Sequence, residues 1–355
     1  MALKERIKLY KAIEAERKRP LIVYVTSTRR NAEAQIARDA ISEVLTQLQA
    51  LPEGTKSIDL LLGSNGGDGT VAWRIVSLIR ERVDSFAVLV PHAAFSAATL
   101  ITLGADEIVM HPHGNLGPTD PQITNRAKNV QFGSEDLAAF LKFARDEVGL
   151  TDQLPLLELF KQFSAEVGFV GIGVAARSSQ LSQTMGEKLL RLHMKSESQM
   201  QKAKLISEAL NTKFFHHGYP LSRSEAKEIG LPVAPCNPTV EDIMWKIWLD
   251  VEEEMKLREP FSPVSILKND PACAALFAPV VPGAAQAGVP AAKMQQIAAL
   301  MESCRVATRV VVEGDILAMR LPDLNLKISV VQHKDGWVDV PIPQEKPVKK
   351  PKKVL

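Results

Sequence analysis

The sequence predicts an α/β protein, and two observations carry that prediction. Short apolar, strand-like runs alternate with helix-patterned segments from the N-terminus to about residue 111. Several of these runs are continuously apolar, which suits strands covered on both faces. Strand-helix alternation at short intervals is the pattern of a sheet sandwiched by helices.

Each element follows from its spacing. Leu3, Ile7, Tyr10 and Ile13 lie three or four apart, giving an amphipathic opening helix. "PLIVYVTS" (20–27) is β-rich and forms the first strand. Ile36, Ala37, Ala40, Ile41, Val44, Leu45 and Leu48 mark a helix with one apolar face. "SIDLLLG" (57–63) is a strand ending in glycine, and Ala72, Ile75, Val76 and Ile79 continue as a helix. "SFAVLVP" (85–91) is a strand, Ser96 to Gly104 a short helix, and "DEIVMH" (106–111) a further strand. Beyond Ser134 the pattern is helical over 134–148, 152–164, 179–211, 222–229 and 239–257. After a Pro/Ala-rich stretch come a helix at 291–303 and a small β unit in which "KDG" makes a turn.

These segments divide the chain into an N-terminal helix (1–19), a main domain (20–260) and a Pro/Ala-rich linker (261–292). A small α+β unit (293–342) and a basic, disordered tail (343–355) complete it. The stretch Pro271 to Ala292 is uncharged and long enough for a membrane span. Its four prolines each cost roughly 3 kcal/mol in a helix interior, so a linker or covering loop is expected instead.

Composition narrows the function classes. Hydrophobic residues are 46% and charged residues 24%, ordinary for a soluble globular protein. The net charge of +2 gives no global field for nucleic acid or an acidic partner. The lysines of "QEKPVKKPKKVL" allow at most a weak contact with nucleic acid or an anionic surface; a solubilising tail is the simpler account. Cys236, Cys273 and Cys304 form no C-x-x-C pair. That argues against a zinc ribbon or disulfide framework and fits a reducing cytoplasm. The first twenty residues contain no continuous apolar run, so no secretory signal is expected.

Three stretches can carry chemistry. "GSNGGDG" (63–69) lies between a strand and a helix. Glycines there admit positive φ and close backbone approach, and free N–H groups at such a turn can hold negative charge. The spacing fits neither a dinucleotide fingerprint nor a P-loop. In "HAAFSAATL" (92–100) one hydroxyl, Ser96, sits among small residues between a strand and a helix. It suits an N-cap, or a sharp turn that exposes a nucleophile and the next N–H. "HPHGNLGPTDPQI" (111–123) gathers His111, His113 and Asp120, with no third metal ligand at suitable spacing.

In combination, "LLLGSNGGDGTVAWRIVSLIR", "VLVPHAAFSAATLITLGADEIVMHPHGNLGPTDPQI" and "FFHHGYPLSRSEAKEIGLPV" resemble the serine dehydrogenase proteinase family. That family is similar to the Clp protease proteolytic subunit, signal peptide peptidase A and the crotonases. The resemblance covers about residues 20 to 260 and implies a stack of β-β-α units. A helical extension and the small C-terminal β unit would follow the stack. It also implies a homo-oligomer acting on peptides or proteins, with no cofactor.

By position the resemblance makes Ser96 the nucleophile, Gly67 and Ala97 the oxyanion-hole donors, and Gly66 the residue shaping the turn. Ser96-Ala97-Ala98 replaces the Ser-Gly-Gly common in relatives, and Pro121 stands where the Clp-type spacing puts a histidine. Asp120 fits the family's own "GPxDPQ" and would act as base or orienting group; an ordinary carboxylate is a weak base for a serine hydroxyl. Lys128 is the candidate for a lysine base, as in signal peptide peptidase A, and Lys142, His92 and His216 are further candidates. The leading expectation is therefore a cytoplasmic serine hydrolase, a peptidase, with its base unassigned. Two alternatives stay open: a crotonase-like acyl-thioester enzyme, and a non-catalytic assembly protein of the same fold.

Overall fold

A computed structural model describes residues 3–125, 130–214, 216–277, 291–321 and 325–343. It is an α/β structure built on a central sheet. Helix α1 (Leu3–Arg17) leads into β1 (Leu21–Thr26), followed by α2 (Ala40–Gln49), β2 (Ser57–Gly63), α3 (Gly69–Arg82) and β3 (Ser85–Val90). Short β4 (Ala93–Ala94) precedes α4 (Ala97–Leu103), β5 (Glu107–Met110), β6 (Asn115–Leu116) and the hairpin β7 (Gln122–Asn125) and β8 (Val130–Gly133). Then come α5 (Ser134–Lys142), a π-helical turn (Phe143–Glu147), α6 (Gln153–Val167), α7 (Phe169–Leu190) and α8 (Glu197–Thr212). The remainder is α9 (Arg223–Glu228), α10 (Pro238–Glu254), α11 (Pro263–Asn269), a 3₁₀ turn (Ala274–Phe277), β9 (Ala291–Ser303), β10 (Ala307–Arg320) and β11 (Leu326–Asp339).

The sheet order is β11-β10-β9-β1-β2-β3-β5. β1, β2, β3 and β5 are parallel, in registers such as Val23↔Leu61 and Leu89↔Val109. Successive strand residues face opposite sides, so a continuously apolar strand feeds two cores. Ile22, Tyr24, Leu60, Leu62, Phe86 and Val88 join one core with the helices α2, α3 and α4. Val23, Val25, Leu61, Ala87 and Leu89 join the other, with Tyr10 and Ile13 of α1 and Trp248 and Val251 of α10. The continuous apolar runs in the sequence are the signature of this two-sided cover.

Helix α1 is anchored by charge as well as by packing. Arg6 is fully buried. It pairs with Asp250 at 2.6 Å and Glu254 at 2.6 Å on α10, and with Glu302 at 2.8 Å on β9. Arg309 on β10 closes the cluster onto Glu254 and Glu302. Paired in this way, the buried charges offset one another's desolvation.

The structure departs from the sequence-based expectation in five places. Ile36 and Ala37 precede α2; Ile36 instead bridges to Gly67. The single helix expected over 179–211 is two, α7 and α8, interrupted at 191–196, where Ser196 caps the second. The segment 291–303, expected as a helix, is β9. Its Ala, Met, Gln and Leu residues favour helix locally, but pairing between β1 and β10 overrides that preference. "KDG" is not a turn: Lys334, Asp335 and Gly336 lie inside β11, opposite Glu313, Val312 and Val311. The C-terminal strands therefore continue the central sheet through the β1–β9 pairing. Within the expected linker, 263–269 and 274–277 are helical. Residues 278–290 of it, and the lysine-rich tail from Gln344, lie outside the described residues.

Among the described residues no single helix is long and apolar enough to cross a membrane. One pair, α6 and α7, meets the length and composition test only together and is bent by 87°.

Candidate active site

Two turns at the C-terminal ends of parallel strands meet at the site. The first joins β2 to α3 through Ser64–Asp68, and Asp68 caps α3 by accepting the Thr70 N–H at 2.8 Å. The second joins β3 to α4 through Pro91–Ser96. Backbone bonds clamp the two together: Ser64 N–H donates to Ala93 O at 2.9 Å and Phe95 N–H to Ser64 O at 2.9 Å. The Ser64 hydroxyl, itself 2.6 Å from Thr26 Oγ1, accepts the Gly66 N–H at 3.0 Å. A third loop is tied in by Thr99, whose Oγ1 accepts the Gly117 N–H at 3.1 Å.

Ser96 has φ 52° and ψ −115°, an unusual backbone for a residue with a side chain. Its side chain makes no capping bond to α4, so the N-cap account of this serine is excluded. Such off-region backbone costs on the order of 1–3 kcal/mol and persists only where neighbours hold it. Gly66 is one such neighbour, with φ +107°. A Cβ there would lie 2.7 Å from Ser96 Cβ and 3.0 Å from Ala97 N. Gly67 packs equally closely on Ile36, bracketed by Ile36 N–H to Gly66 O at 2.8 Å and Asp68 N–H to Ile36 O at 2.9 Å. These bonds use the groups on either side of the Gly67 N–H. Neither it nor the Ala97 N–H donates to another described residue.

Ser96, Ala97 and Gly67 line one cavity of about 430 Å³. Leu100, Leu181 and Met185 give it an apolar wall, and Thr119 and His217 stand elsewhere on its lining. The Thr119 hydroxyl is buried and has no hydrogen-bond partner among the described residues.

His217 is the residue that sequence reasoning missed. Its Nδ1 lies 2.9 Å from Asp120 Oδ1. Asp120 is nearly buried, and its Oδ2 accepts from Gln122 Nε2 at 2.7 Å. A carboxylate only accepts, so the shared proton sits on Nδ1 and leaves His217 Nε2 as a free base in the neutral ring. Ser96 Oγ makes no hydrogen bond to a described residue, and His217 lines the same cavity. Catalytic hydrogen bonds often form only once substrate is bound.

The base candidates from the sequence, and His111, fall elsewhere. His92 stacks on Trp248 at 4.8 Å, and burial pushes its pKa down. His111 stacks on Trp245, also at 4.8 Å. His216 is exposed and accepts the Gly218 N–H through Nδ1. Lys142 is exposed at the end of α5 and does not line the Ser96 cavity. Lys128 lies outside the described residues. Among the described residues, no group of three or more His, Cys, Asp or Glu side chains is arranged to hold a metal ion.

Residues 34–131 match the ClpP-like SDH-type serine proteinase family. The SDH-type match contains both turns, Ser96 and Asp120, and ends well before His217. Two uncharacterized proteins of Methanocaldococcus jannaschii, MJ0137 and MJ1495, are 30% and 28% identical over 192 and 191 residues. Those alignments cover 54% of this chain and only 58% and 56% of the relatives' own lengths. Two solved mutants of a membrane-bound stomatin-specific protease (1510-N), one holding a substrate peptide, are 16% and 17% identical. They have TM-scores of 0.37 and 0.36, covering 56% of this chain and 75% and 71% of theirs.

Proposed function

We propose that this protein is a serine peptidase working through Ser96, His217 and Asp120. The observation that carries the proposal is the Asp120–His217 pair, 2.9 Å apart, with His217 on the wall of the cavity that Ser96 enters. The match of residues 34–131 to a serine proteinase family supports the same class.

In the proposed reaction Ser96 Oγ attacks the peptide carbonyl carbon while His217 Nε2 takes the hydroxyl proton. Asp120 holds the ring in the tautomer that leaves Nε2 free and stabilises the imidazolium. The carbonyl oxygen, now negative, accepts from the Gly67 and Ala97 N–H groups. One such donor is typically worth about 10²–10³ in rate. The C–N bond then breaks as His217 returns the proton to the leaving nitrogen. Water, deprotonated by His217, hydrolyses the acyl-Ser96 ester and regenerates the hydroxyl.

Asp120 thus has the role of orienting group rather than base. The test is a serine-directed fluorophosphonate together with an unstructured protein substrate. Wild-type protein should label at Ser96 and cleave, and Ser96→Ala should do neither. Full turnover in Ser96→Ala would instead favour acyl-thioester chemistry of the crotonase kind.

The proposal includes a cytoplasmic homo-oligomer, as expected from the sequence. Sedimentation velocity tests the assembly, and a monomer at every concentration would remove that part.

A further inference from the structure

Two indoles on α10 pack against the strand ends that lead into the site. Trp245 and Trp248 are three residues apart, which puts both on one face of the helix. Trp248 is 2% exposed and stacks on His92, with ring centroids 4.8 Å apart and planes 7° from parallel. Trp245 stacks in the same way on His111, at 4.8 Å and 4°. His92 lies two residues beyond β3, and His111 follows β5 directly. Each indole therefore meets the chain where it leaves a strand for the site.

Trp248 also packs on a third strand end. Gly63 closes β2 just before the glycine turn, and a Cβ there would lie 2.7 Å from Trp248 Cζ3. Its φ is not positive, so space rather than conformation calls for glycine at this position. One indole thus reaches both the turn that carries Ser96 and the turn that carries Gly67. Backbone bonds extend that contact. His92 O accepts the Asn115 N–H at 2.6 Å, and Ala93 O accepts the Ser64 N–H at 2.9 Å. A displacement of His92 therefore moves all three loops of the site.

Two features set this stack apart from ordinary core packing. Of residues 91–96, His92 alone is exposed, so its own burial is not what the stack achieves. Trp248 Nε1 is buried with no hydrogen-bond partner among the described residues, a cost that Phe or Leu would avoid.

We propose that His92 and Trp248 are positioning residues, whose stack fixes the Ser96 turn against the glycine turn. The stack thereby sets where Ser96 Oγ stands relative to the Gly67 and Ala97 N–H groups. This role rests on the peptidase reading and deepens it. His92 contributes a flat ring and transfers no proton.

Two experiments on the full-length protein test the proposal. The first is the fluorophosphonate inactivation rate of Ser96 at saturating probe. A stacked aromatic pair is worth up to about tenfold in an equilibrium, so His92→Ala and Trp248→Leu should each slow inactivation by about tenfold. The probe concentration for half-maximal rate should stay within about twofold of wild type. His92→Phe and Trp248→Phe keep a flat ring and should stay within about threefold of the wild-type rate. Ile13→Ala is the stability control: it removes packing on α1 in the same core, and should lower the unfolding temperature while labelling normally. Wild-type labelling by His92→Ala overturns the proposal. So does a loss in His92→Phe equal to that in His92→Ala, which would make the imidazole itself the working group.

The second experiment needs no activity. Hydrogen exchange followed by mass spectrometry reads the clamping amides of Ser64, Phe95 and Asn115. His92→Ala should speed exchange of the peptides containing them by about tenfold and leave the other sheet peptides unchanged. Unchanged exchange at all three overturns the proposal. If wild-type Ser96 does not label, the peptidase reading fails, and the exchange rates still decide whether the stack holds the turns.

Discussion

Replacing Gly66 by alanine should disable Ser96 labelling while leaving most of the protein folded. The new Cβ would sit 2.7 Å from Phe95 O and 2.7 Å from Ser96 Cβ, about 0.7 Å short of the ordinary 3.4 Å contact. Both obstacles belong to the turn that presents the nucleophile, and one is backbone, so a rotamer change cannot relieve the overlap. The two turns must separate by most of that 0.7 Å. Misplacement of reacting groups by about 1 Å can cost on the order of 10² in rate, so a loss of about that size is expected. The backbone at φ +107° adds a stability cost of about 1–3 kcal/mol. Gly54→Ala is the control: its φ is +75°, yet nothing lies within 4 Å of the new Cβ. It should lose comparable stability and label normally. The assay is the second-order rate of fluorophosphonate labelling, with thermal unfolding in parallel. Wild-type labelling by Gly66→Ala would refute the close approach of the glycine turn to Ser96.

Three further outcomes follow from the same geometry. Asp120→Asn should cut single-turnover cleavage by about 10⁴, because an amide facing Nδ1 no longer holds the His217 tautomer; near-normal rates would contradict the orienting role. Arg6→Met should destabilise the protein by about 3–5 kcal/mol, because buried Asp250 and Glu302 lose the Arg6 charge and Arg309 alone remains beside Glu302, as read from denaturant unfolding. The pH dependence of stability should include His193, whose pKa is pushed below 6.5, chiefly by burial. Below pH 6.5 the unfolded chain then binds more protons than the folded one, so stability falls on acidification. This single group contributes at most about 1.4 kcal/mol per pH unit, less for its partial exposure. His193→Gln, which can keep a bond to Leu103 O, should flatten that slope; an unchanged slope would rule the group out.

The parallel half of the sheet was legible because buried strands announce themselves twice. "LIVYVT" and "SFAVLV" are apolar at all but one end position, Thr26 and Ser85, as suits strands feeding two cores. Strand β9 was not legible, since its alanines, methionines and glutamines prefer helix and only distant partners make it a strand. Ser96 stood out through small neighbours and its partner motifs. Its local signal, a hydroxyl before a short helix, suited a cap equally well; the missing capping bond and the backbone at φ 52° separate the two. His217 was overlooked for a geometric reason. In "HHGYP" adjacent histidines point to different places: His216 turns back onto Gly218, while His217 reaches Asp120. Sequence places that pair far from "GPTDPQ", and only the fold brings the two together. The doubled histidine beside a glycine was the available signal, and nothing in it tells which member of the pair faces Asp120.

The most direct test of the account is the fluorophosphonate labelling rate of Ser96 in three variants: His217→Ala, His216→Ala and Lys128→Ala. The triad predicts that His217→Ala lowers the rate by about 10³ or more, while His216→Ala and Lys128→Ala stay within a few-fold of wild type. A normal rate in His217→Ala, with the loss falling on Lys128→Ala, would replace the histidine by a lysine base.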